Sequence, residues 1–292
     1  MTTACSASIR DVIRDVEVRL RRAGGECARA EAEWLVAEAL GLTRRTELYL
    51  YEAPMRPEAL ERIDAWVSRR AGGEPLAYVT GSTEFFGHRL HVSPAVLIPR
   101  PETEVIAQEA IARLRRLRGG GRSAPRVLDL GTGSGNIAIS LAVAVPSCVV
   151  VAVELSWKAL CIARANIARH GLERRVSLVQ ADWADGAVQQ RFEVIVSNPP
   201  YVSTADVERL PESVRWEPCC ALDGGADGME GYRVLLARMP AWLSPGGSVG
   251  FECGDTHGET LSALCAQQPW AKRVDAVHDL AGRLRGLFIE SV

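Results

Sequence analysis

The spacing of apolar residues divides the chain into a helical first part and a second part in which helices and strands alternate. In the first part, Ile9, Val16 and Leu20 recur on one face of a helix. Ser8 precedes this helix as a candidate N-cap. Further apolar stripes follow at the same spacing and end at glycines. We therefore predict a small all-helical domain over residues 1–80, without a catalytic residue pattern of its own.

Beyond the helical part the pattern changes twice. From residue 81 to 102, aromatic and branched apolar residues are separated by glycine and proline, which predicts a β-hairpin connector. Over residues 103–292, helical and strand-like stretches alternate, which predicts an α/β domain built from βαβ units around a largely parallel sheet. Its strand candidates are residues 126–130, 149–153, 176–179, 192–197, 248–252, 273–277 and 286–290.

The sequence Asn198-Pro199-Pro200-Tyr201 directly follows the fourth strand candidate. Two successive prolines end strand pairing and stiffen the turn. We therefore expect the Asn198 amide and the Tyr201 ring at the carboxyl edge of the sheet, where open α/β sheets bind ligands. An amide carbonyl accepts hydrogen bonds without being a strong base, and an aromatic ring offers a flat face. The motif is typical of a site that holds a planar NH2 group while its weakly nucleophilic nitrogen is alkylated.

A glycine-rich turn, Gly131-Thr132-Gly133-Ser134-Gly135, follows the first strand candidate and precedes a helix. Glycines let the backbone turn tightly and approach a ligand, and a helix N-terminus presents free N–H groups. Such a turn by itself occurs in nicotinamide, flavin and S-adenosylmethionine (SAM) folds. Its glycines are spaced GxGxG rather than GxGxxG, which weakens the dinucleotide interpretation. Together with the Asn-Pro-Pro-Tyr motif, the turn favours SAM.

Three more candidate residues follow the second and third strand candidates. Glu154 ends the second one roughly 20 residues beyond the glycine turn, where an acid binds ribose hydroxyls in such folds. Capping of the next helix is better assigned to Ser156. Asp182 can accept a hydrogen bond from an adenine amino group, and the Trp183 indole can lie against the adenine ring. Capping by Asp182 and apolar packing of Trp183 are competing interpretations.

Composition and charge narrow the classes of partner. The 292 residues carry a formal net charge of −2, so no global basic charge indicates nucleic acid. The first 20 residues lack the apolar stretch of a secretory signal, and Pro146 splits the longest uncharged stretch, so we expect no membrane span. The eight cysteines include no CxxC pair. We therefore expect a cytoplasmic protein with reduced, mostly core cysteines and no metal.

Longer segments of the sequence resemble the HemK/PrmC family, the SAM-dependent N5-glutamine methyltransferases of peptide-chain release factors. The Asn-Pro-Pro-Tyr motif alone is shared with DNA adenine and RNA guanine methyltransferases. The segment Leu-Ile-Pro-Arg-Pro-Glu-Thr-Glu at residues 97–104 narrows the family, because it resembles the family's link between hairpin and catalytic domain. Further similar segments lie at residues 74–81, 221–228 and 279–283. The resemblance extends from about residue 74 to the end.

The resemblance implies the Rossmann-like class I methyltransferase fold, with a seven-stranded mixed sheet, a β-hairpin connector and a helical N-terminal domain that holds the protein substrate. It implies a methyl transfer from SAM, leaving S-adenosylhomocysteine, to the glutamine N5 of the Gly-Gly-Gln motif in class I release factors. It assigns SAM binding to Gly131, Thr132, Gly133, Ser134, Gly135, Glu154, Asp182, Trp183 and Asn198. It assigns substrate binding to Asn198, Pro199, Pro200 and Tyr201, of which Asn198, Pro199 and Tyr201 are catalytic.

The chemistry of a glutamine amide agrees with these roles. Its nitrogen is a poor nucleophile because the lone pair is delocalised into the carbonyl. Asn198 Oδ1 and the Pro199 carbonyl can accept its two N–H bonds, while Tyr201 packs on the amide plane. Two residues depart from the family pattern. Glu154 replaces the more usual aspartate, and Leu284 stands where the family usually carries an acid.

Two other functions remain open. An amino methyltransferase acting on adenine or guanine would use the same motif, but the balanced charge and the lack of an evident target-recognition domain speak against it. A SAM-binding regulatory protein without turnover would not need an amide clamp, meaning Asn198 Oδ1 and the Pro199 carbonyl as acceptors for the substrate NH2 group. The sequence therefore leaves three hypotheses, in order of preference: methylation of a release factor, methylation of a nucleic acid base, and SAM binding without methyl transfer.

Overall fold

The structure is a computed structural model that describes residues 8–42, 45–119, 124–185 and 188–292. It divides the chain into two compact units. The first unit comprises Met1–Gly81 together with Glu212–Trp216, and the second comprises Ser82–Pro211 and Glu217–Val292. The hairpin region that follows Gly81 therefore belongs to the same unit as the sheet.

The first unit is helical. Ser8 caps its first helix, because the Ser8 hydroxyl oxygen accepts a 3.2 Å hydrogen bond from the backbone N–H of Asp11. Pro57 occupies the first turn of the third helix, where its missing N–H costs no hydrogen bond. Leu35, Val36 and Ile63 are buried in the core between the helices. The helices are α1 (Ile9–Arg22), α2 (Ala28–Ala39), α3 (Pro57–Ala71) and α4 (Leu76–Thr80).

The second unit begins with an antiparallel hairpin and continues into a seven-stranded mixed sheet. All seven strand candidates are confirmed, and several extend by a few residues because strand pairing continues past the apolar run. The hairpin strands are β1 (Ser82–Phe85) and β2 (His88–His91). The sheet strands are β3 (Arg126–Leu130), β4 (Val149–Glu154), β5 (Val176–Gln180), β6 (Phe192–Ser197), β7 (Leu243–Glu252), β8 (Ala271–His278) and β9 (Leu284–Ser291).

The strand order in the sheet is β5-β4-β3-β6-β7-β9-β8. The first five strands of this order are parallel, and β9 runs antiparallel to both of its neighbours. The chain leaves β3 toward β4 and β5 on one side and reaches β6 and β7 on the other. In open α/β sheets, the carboxyl ends of the strands at such a reversal form the crevice that binds ligands.

Helices cover both faces of the sheet, and each face has its own apolar core. One core includes Ile106, Leu114 and Ile137, and the other includes Tyr232 and Trp242. No helix in the described ranges is long and apolar enough to cross a bilayer. The helices of this unit are α5 (Thr103–Gly119), α6 (Asn136–Ala144), α7 (Trp157–Arg169), α8 (Thr204–Val207), α9 (Glu230–Trp242) and α10 (Gly258–Ala266).

Asn166 on α7 joins the hairpin to the glycine turn. Its Oδ1 accepts a 2.7 Å hydrogen bond from the backbone N–H of His91. Its Nδ2 donates to the backbone oxygens of His91 and Ser134, at 2.9 and 2.8 Å. The side chain is fully buried, so these bonds replace water that it cannot reach. The hairpin and the turn are consequently held in one fixed arrangement.

Candidate active site

The carboxyl ends of β3, β4, β5 and β6 open into a cavity of about 190 Å³, called the main cavity below. The register places Leu130 of β3 beside Val153 of β4 and Ser197 of β6, so the segments that follow these strands converge. Predicted site residues from four separate stretches of sequence therefore line one cavity. These residues are Gly131, Thr132, Gly133, Ser134, Glu154, Asp182, Trp183, Asn198 and Pro200.

Three predicted residues lie outside the lining of the main cavity. Gly135 begins α6 with a φ of +83°, and a Cβ there would lie 3.4 Å from Ile139 and 3.6 Å from Ala163. It serves the packing of α6 against α7. Pro199 lies beside Gly231, where an added Cβ would come within 3.3 Å of the proline ring. Tyr201 lines a second cavity, described below.

Asp129, at the end of β3, holds the glycine turn from beneath. Its Oδ2 accepts hydrogen bonds from the Thr132 hydroxyl at 2.6 Å and from the backbone N–H of Ala138 at 3.2 Å. Oδ1 is buried and has no hydrogen-bond partner within the described part of the chain. Burial raises the pKa of Asp129 to about 6, against the two hydrogen bonds, which lower it. The sequence prediction assigned Asp129 no role.

The carboxylate of Glu154 joins the end of β4 to the glycine turn. Oε2 accepts a 2.9 Å hydrogen bond from the backbone N–H of Gly133, and Oε1 accepts a 3.0 Å bond from that of Ser156. Ser156 caps α7, since its hydroxyl oxygen accepts from the backbone N–H of Ala159. The helix cap thus falls to Ser156, and Glu154 faces the cavity.

Asp182 and Trp183 close the main cavity on the side of β5. Asp182 Oδ1 accepts a 2.8 Å hydrogen bond from the backbone N–H of Ala184, so this carboxylate stabilises its own turn while lining the cavity. The Trp183 ring lies over Gly131, where an added Cβ would come within 3.2 Å of it. A residue larger than glycine at position 131 would push the indole out of the cavity wall.

The segment between the hairpin and α5 forms the opposite wall, with Ala95, Val96, Leu97, Pro99, Arg100 and Thr103 in the lining. Glu217, buried and about 120 residues further along the chain, anchors this segment. Its Oε2 accepts a 3.0 Å hydrogen bond from the backbone N–H of Ile98, and its Oε1 pairs with the Arg100 guanidinium. A carboxylate that forms charge-assisted bonds in a buried place gives a rigid anchor.

Tyr201 lies in a second cavity of about 650 Å³, adjacent to the Asn-Pro-Pro-Tyr turn. Burial raises the pKa of its phenol to about 12, so the hydroxyl stays neutral near pH 7. The loop that follows packs tightly under this turn. A Cβ added to Gly224 would lie 2.6 Å from the Pro200 carbonyl oxygen, and one added to Gly228 would overlap that of Tyr201. Arg100 lines both cavities.

Asn198 is held from behind by α5 and β7. Its Nδ2 donates to the Thr103 hydroxyl oxygen at 3.4 Å. The register of β6 with β7 pairs Ser197 with Phe251, which brings Asn198 beside Glu252. Burial raises the pKa of Glu252 to about 7. The sequence prediction missed Thr103 and Glu252 as site residues, although Thr103 lies inside the segment 97–104 that carries the family resemblance.

The cysteines differ from the expectation of a mostly core location. Cys148, Cys253 and Cys265 are buried, but Cys27, Cys161, Cys219 and Cys220 are exposed. These seven cysteines of the described ranges are free thiols, and Cys220 lines the main cavity; Cys5 lies outside the described residues. Across the described ranges, no three histidine, cysteine, aspartate or glutamate side chains lie together as metal ligands.

Two family models match the chain. The model described as the PrmC N-terminal domain matches residues 11–81. The model described as the methyltransferase small domain matches residues 114–212, which include the glycine turn and Tyr201. The two matches fall on the helical unit and on the first half of the sheet.

Curated relatives match over most of their length. A release factor glutamine methyltransferase of Geobacter sulfurreducens is 44% identical over 258 residues, 88% of each chain. One of Moorella thermoacetica is 38% identical and covers 95% of this chain and 96% of its own. Among solved structures, the hMettl16 catalytic domain in complex with MAT2A 3'UTR hairpin 6 is 16% identical, with a TM-score of 0.54. It covers 80% of this chain and 81% of its own, and at this identity it shows a shared fold alone.

Proposed function

The chain belongs to the release factor glutamine methyltransferase family, and we propose that it transfers a methyl group from SAM to the side-chain N5 of a glutamine. The proposed glutamine is that of the Gly-Gly-Gln motif in class I peptide chain release factors. The position of Asn198 is the main observation that supports this proposal. Asn198 lines the main cavity and directly precedes the turn whose Tyr201 lines the second cavity. A donor in one cavity and an amide entering from the other would meet at Asn198.

The residues of the main cavity fit SAM. The ribose of SAM carries two hydroxyl donors, and Glu154 is the carboxylate that faces the cavity from the end of β4. The adenine is flat, and the Trp183 indole offers an apolar face above Gly131. The absence of a side chain at Gly131 and Gly133 leaves room beside the turn. When bound, SAM supplies an electrophilic methyl group on a positively charged sulfur and leaves as neutral S-adenosylhomocysteine.

The Asn-Pro-Pro-Tyr turn would bind and orient the substrate amide. Asn198 Oδ1 and the Pro199 carbonyl accept its two N–H bonds, so the nitrogen is directed at the methyl group. Tyr201 packs against the amide plane. Positioning of this kind converts an encounter into an aligned arrangement and contributes several kcal/mol. The nitrogen loses one proton once it is methylated, so no strong base is needed to begin the reaction. The reaction proposed here requires no metal.

The helical unit would bind the body of the release factor. It matches the PrmC N-terminal domain and carries no catalytic pattern, which supports a role in protein recognition. A protein substrate also fits the formal net charge of −2, because enzymes that bind nucleic acid need positive charge against phosphates. Since release factors act on ribosomes, the proposed reaction takes place in the cytoplasm.

Methyl transfer to purified release factor tests the proposal directly. The protein is incubated with methyl-labelled SAM and a class I release factor, and the modified residue is mapped by mass spectrometry. We expect one methyl group on the glutamine of Gly-Gly-Gln, and none when that glutamine is replaced by alanine. Duplex DNA and structured RNA are offered in parallel. Label in nucleic acid but not in release factor would replace this proposal with the base methyltransferase, and SAM binding without product would indicate a binding protein.

A further inference from the structure

Glu252 is a buried carboxyl beside the Asn198 side chain. It is the last residue of β7. Ser197 on β6 pairs with Phe251 on β7, and Asn198 and Glu252 are the residues that directly follow this pair. Glu252 is 3% exposed, and Thr103 at the start of α5 is 1% exposed. A carboxyl group buried this deeply is stable only with hydrogen-bond donors beside it. The Thr103 hydroxyl and the Asn198 amide lie beside it, while Glu252 Oε2 has no hydrogen-bond partner within the described residues.

The hydrogen bond between Asn198 and Thr103, beside Glu252, has a defined direction. Asn198 Nδ2 donates to the Thr103 hydroxyl oxygen at 3.4 Å. The Thr103 hydroxyl and the Asn198 amide both approach the Glu252 carboxyl closely enough to lower its pKa by hydrogen bonding. An ionised carboxylate can only accept, so both neighbours must donate to it. The NH2 end of the Asn198 amide therefore faces Thr103 and Glu252, and Oδ1 faces away from them.

We propose that Glu252 is a positioning residue that fixes the orientation of the Asn198 amide, so that Oδ1 rather than Nδ2 meets the substrate nitrogen. This inference rests on the proposed function and assigns that site one further residue. An amide in the reverse orientation would present N–H donors to the N–H donors of the substrate. The two ends of an asparagine amide are nearly equal in shape, so packing alone does not select between them. A fixed hydrogen-bond acceptor behind Asn198 does select one of the two orientations.

The protonation state of Glu252 determines whether this acceptor is present. Burial raises the pKa to about 7, the Thr103 hydrogen bond lowers it, and the charge of Glu102 raises it. Asn198 and the charge of Arg285 lower it further. Below about pH 7 the carboxyl gains a proton and becomes a donor, so the reverse amide orientation is no longer penalised. The rate of methyl transfer should therefore fall as the pH decreases through this value.

The pH dependence caused by Glu252 has to be distinguished from that of the other titratable groups near it. Burial raises the pKa values of Tyr201, Tyr232 and Cys253, which keeps these groups neutral around pH 7. Arg285 is paired with Asp255 and Asp279. Arg100 is paired with Glu217. His257 carries an imidazole whose ring centre lies 6.2 Å from that of Tyr201, so it needs its own variant.

The experiment measures the single-turnover rate of methyl transfer to release factor between pH 6 and 8.5, with SAM saturating and the enzyme in saturating excess over release factor. Wild type, Glu252→Gln, His257→Gln and the exposed control Glu259→Gln are compared. We expect wild type to lose rate below about pH 7. Glu252→Gln should be roughly tenfold slower at pH 8 and should show no such dependence, because its amide can face Asn198 either way. The affinity for SAM should stay within about twofold, and Glu102→Gln should shift the midpoint to lower pH.

Each outcome decides the inference. Glu252→Gln with the rate and the pH dependence of wild type would overturn it and leave the proposed function intact. Loss of the pH dependence in His257→Gln instead would assign the titration to the imidazole and overturn it as well. If wild type yields no methylglutamine at any pH, the proposed function fails first. If Glu252→Gln does not fold, Thr103→Val interrupts the same contact from α5, and an unchanged rate in that variant would overturn the inference.

Discussion

The backbone N–H of Gly133 donates a 2.9 Å hydrogen bond to Oε2 of Glu154, so the turn after β3 and the acid at the end of β4 are directly joined. The second oxygen of the same carboxylate accepts from the backbone N–H of Ser156 at the start of α7. The group that we propose to bind the ribose of SAM is thereby held in place before any ligand arrives. Preorganisation of this kind lowers the entropy that binding must overcome.

Replacement of Glu154 should weaken SAM binding far more than catalysis. Hydrogen bonds to a charged group contribute about 1.5–3 kcal/mol each, so we expect Glu154→Ala to lower the affinity for SAM by roughly 10- to 100-fold. At saturating SAM the rate should change by less than about threefold, because Glu154 does not contact the substrate amide in the proposed arrangement. Equilibrium titration and methyl-transfer kinetics measure the two quantities.

Glu173→Ala is the matched control for Glu154, since Glu173 is an exposed acid in the turn before β5. It should bind SAM as wild type does. Equal affinities in Glu154→Ala and the control would remove Glu154 from the proposed SAM site.

Replacement of Asn198 should lower the rate of methyl transfer far more than the affinity for SAM. Asn198→Ala removes the side-chain acceptor that aims the substrate nitrogen, and loss of one such group costs roughly 10²- to 10³-fold in rate. Thr103 would still hydrogen-bond Glu252, so the variant should fold, with a lower unfolding midpoint because the buried carboxyl loses one donor. The methyl-transfer rate at saturating substrates and the thermal unfolding midpoint are the measurements. A variant that keeps the wild-type rate would show that no amide clamp operates at this turn.

Replacement of Gly228 should destabilise the loop under Tyr201. Gly228 has a φ of +72°, and a Cβ there would overlap the Tyr201 carbonyl oxygen and lie 2.7 Å from His257 Nε2. Gly171 has a similar φ of +66°, but nothing in the described structure lies within 4 Å of its added Cβ. Gly171→Ala should cost about 1–2 kcal/mol of unfolding free energy from backbone strain alone.

We expect Gly228→Ala to cost more than about 3 kcal/mol, because the clash adds to the strain. Denaturant unfolding of the two variants side by side isolates the packing contribution. Equal losses in both would mean that the loop relaxes away from Tyr201 and that its close packing is dispensable.

Asp129 should make stability depend on pH between about pH 4 and 6. Its pKa rises from 3.8 to about 6 on burial, so the folded state holds a proton that the unfolded state releases. The stability linked to this group is complete below the unfolded pKa and is lost as the pH increases through the folded pKa. A rise of about two pKa units corresponds to about 3 kcal/mol.

Asp129→Asn removes this titration and should flatten the curve of unfolding free energy against pH over the same interval. Denaturant melts at half-unit pH steps measure it, with the exposed Asp185→Asn as the matched control. A decline that persists unchanged in Asp129→Asn would assign the titration to other groups.

The sheet and the convergence of its motifs could be predicted because their signals are local. Most of the seven strands contain a short apolar run, and parallel strands necessarily bring their carboxyl ends to one edge. The glycine turn follows β3 and Glu154 ends the next strand along the chain, so both could be predicted at the carboxyl edge of the sheet. The family resemblance supplied the substrate class, and the relatives confirm the family.

The residues that hold the site could not be predicted because their partners are distant in sequence. Asn198 and Thr103 are 95 positions apart, and Ile98 and Glu217 are 119 apart. No local periodicity encodes a hydrogen bond between such positions. The turn also separates its own members, since Asn198 and Pro200 line one cavity and Tyr201 the other. The sequence prediction treated the four residues as one binding element, so it did not indicate that their side chains line two different cavities.

The anchoring of Ile98 and Arg100 by Glu217 has a practical consequence for dividing this protein into pieces. A fragment that begins at residue 103 would contain every strand of the large sheet, yet it would lack Ala95–Arg100 and therefore one wall of the main cavity. A fragment that ends at residue 212 would lack Glu217, which fixes that wall. A fragment that retains this wall of the main cavity together with its anchor must therefore include both residues 95–100 and Glu217.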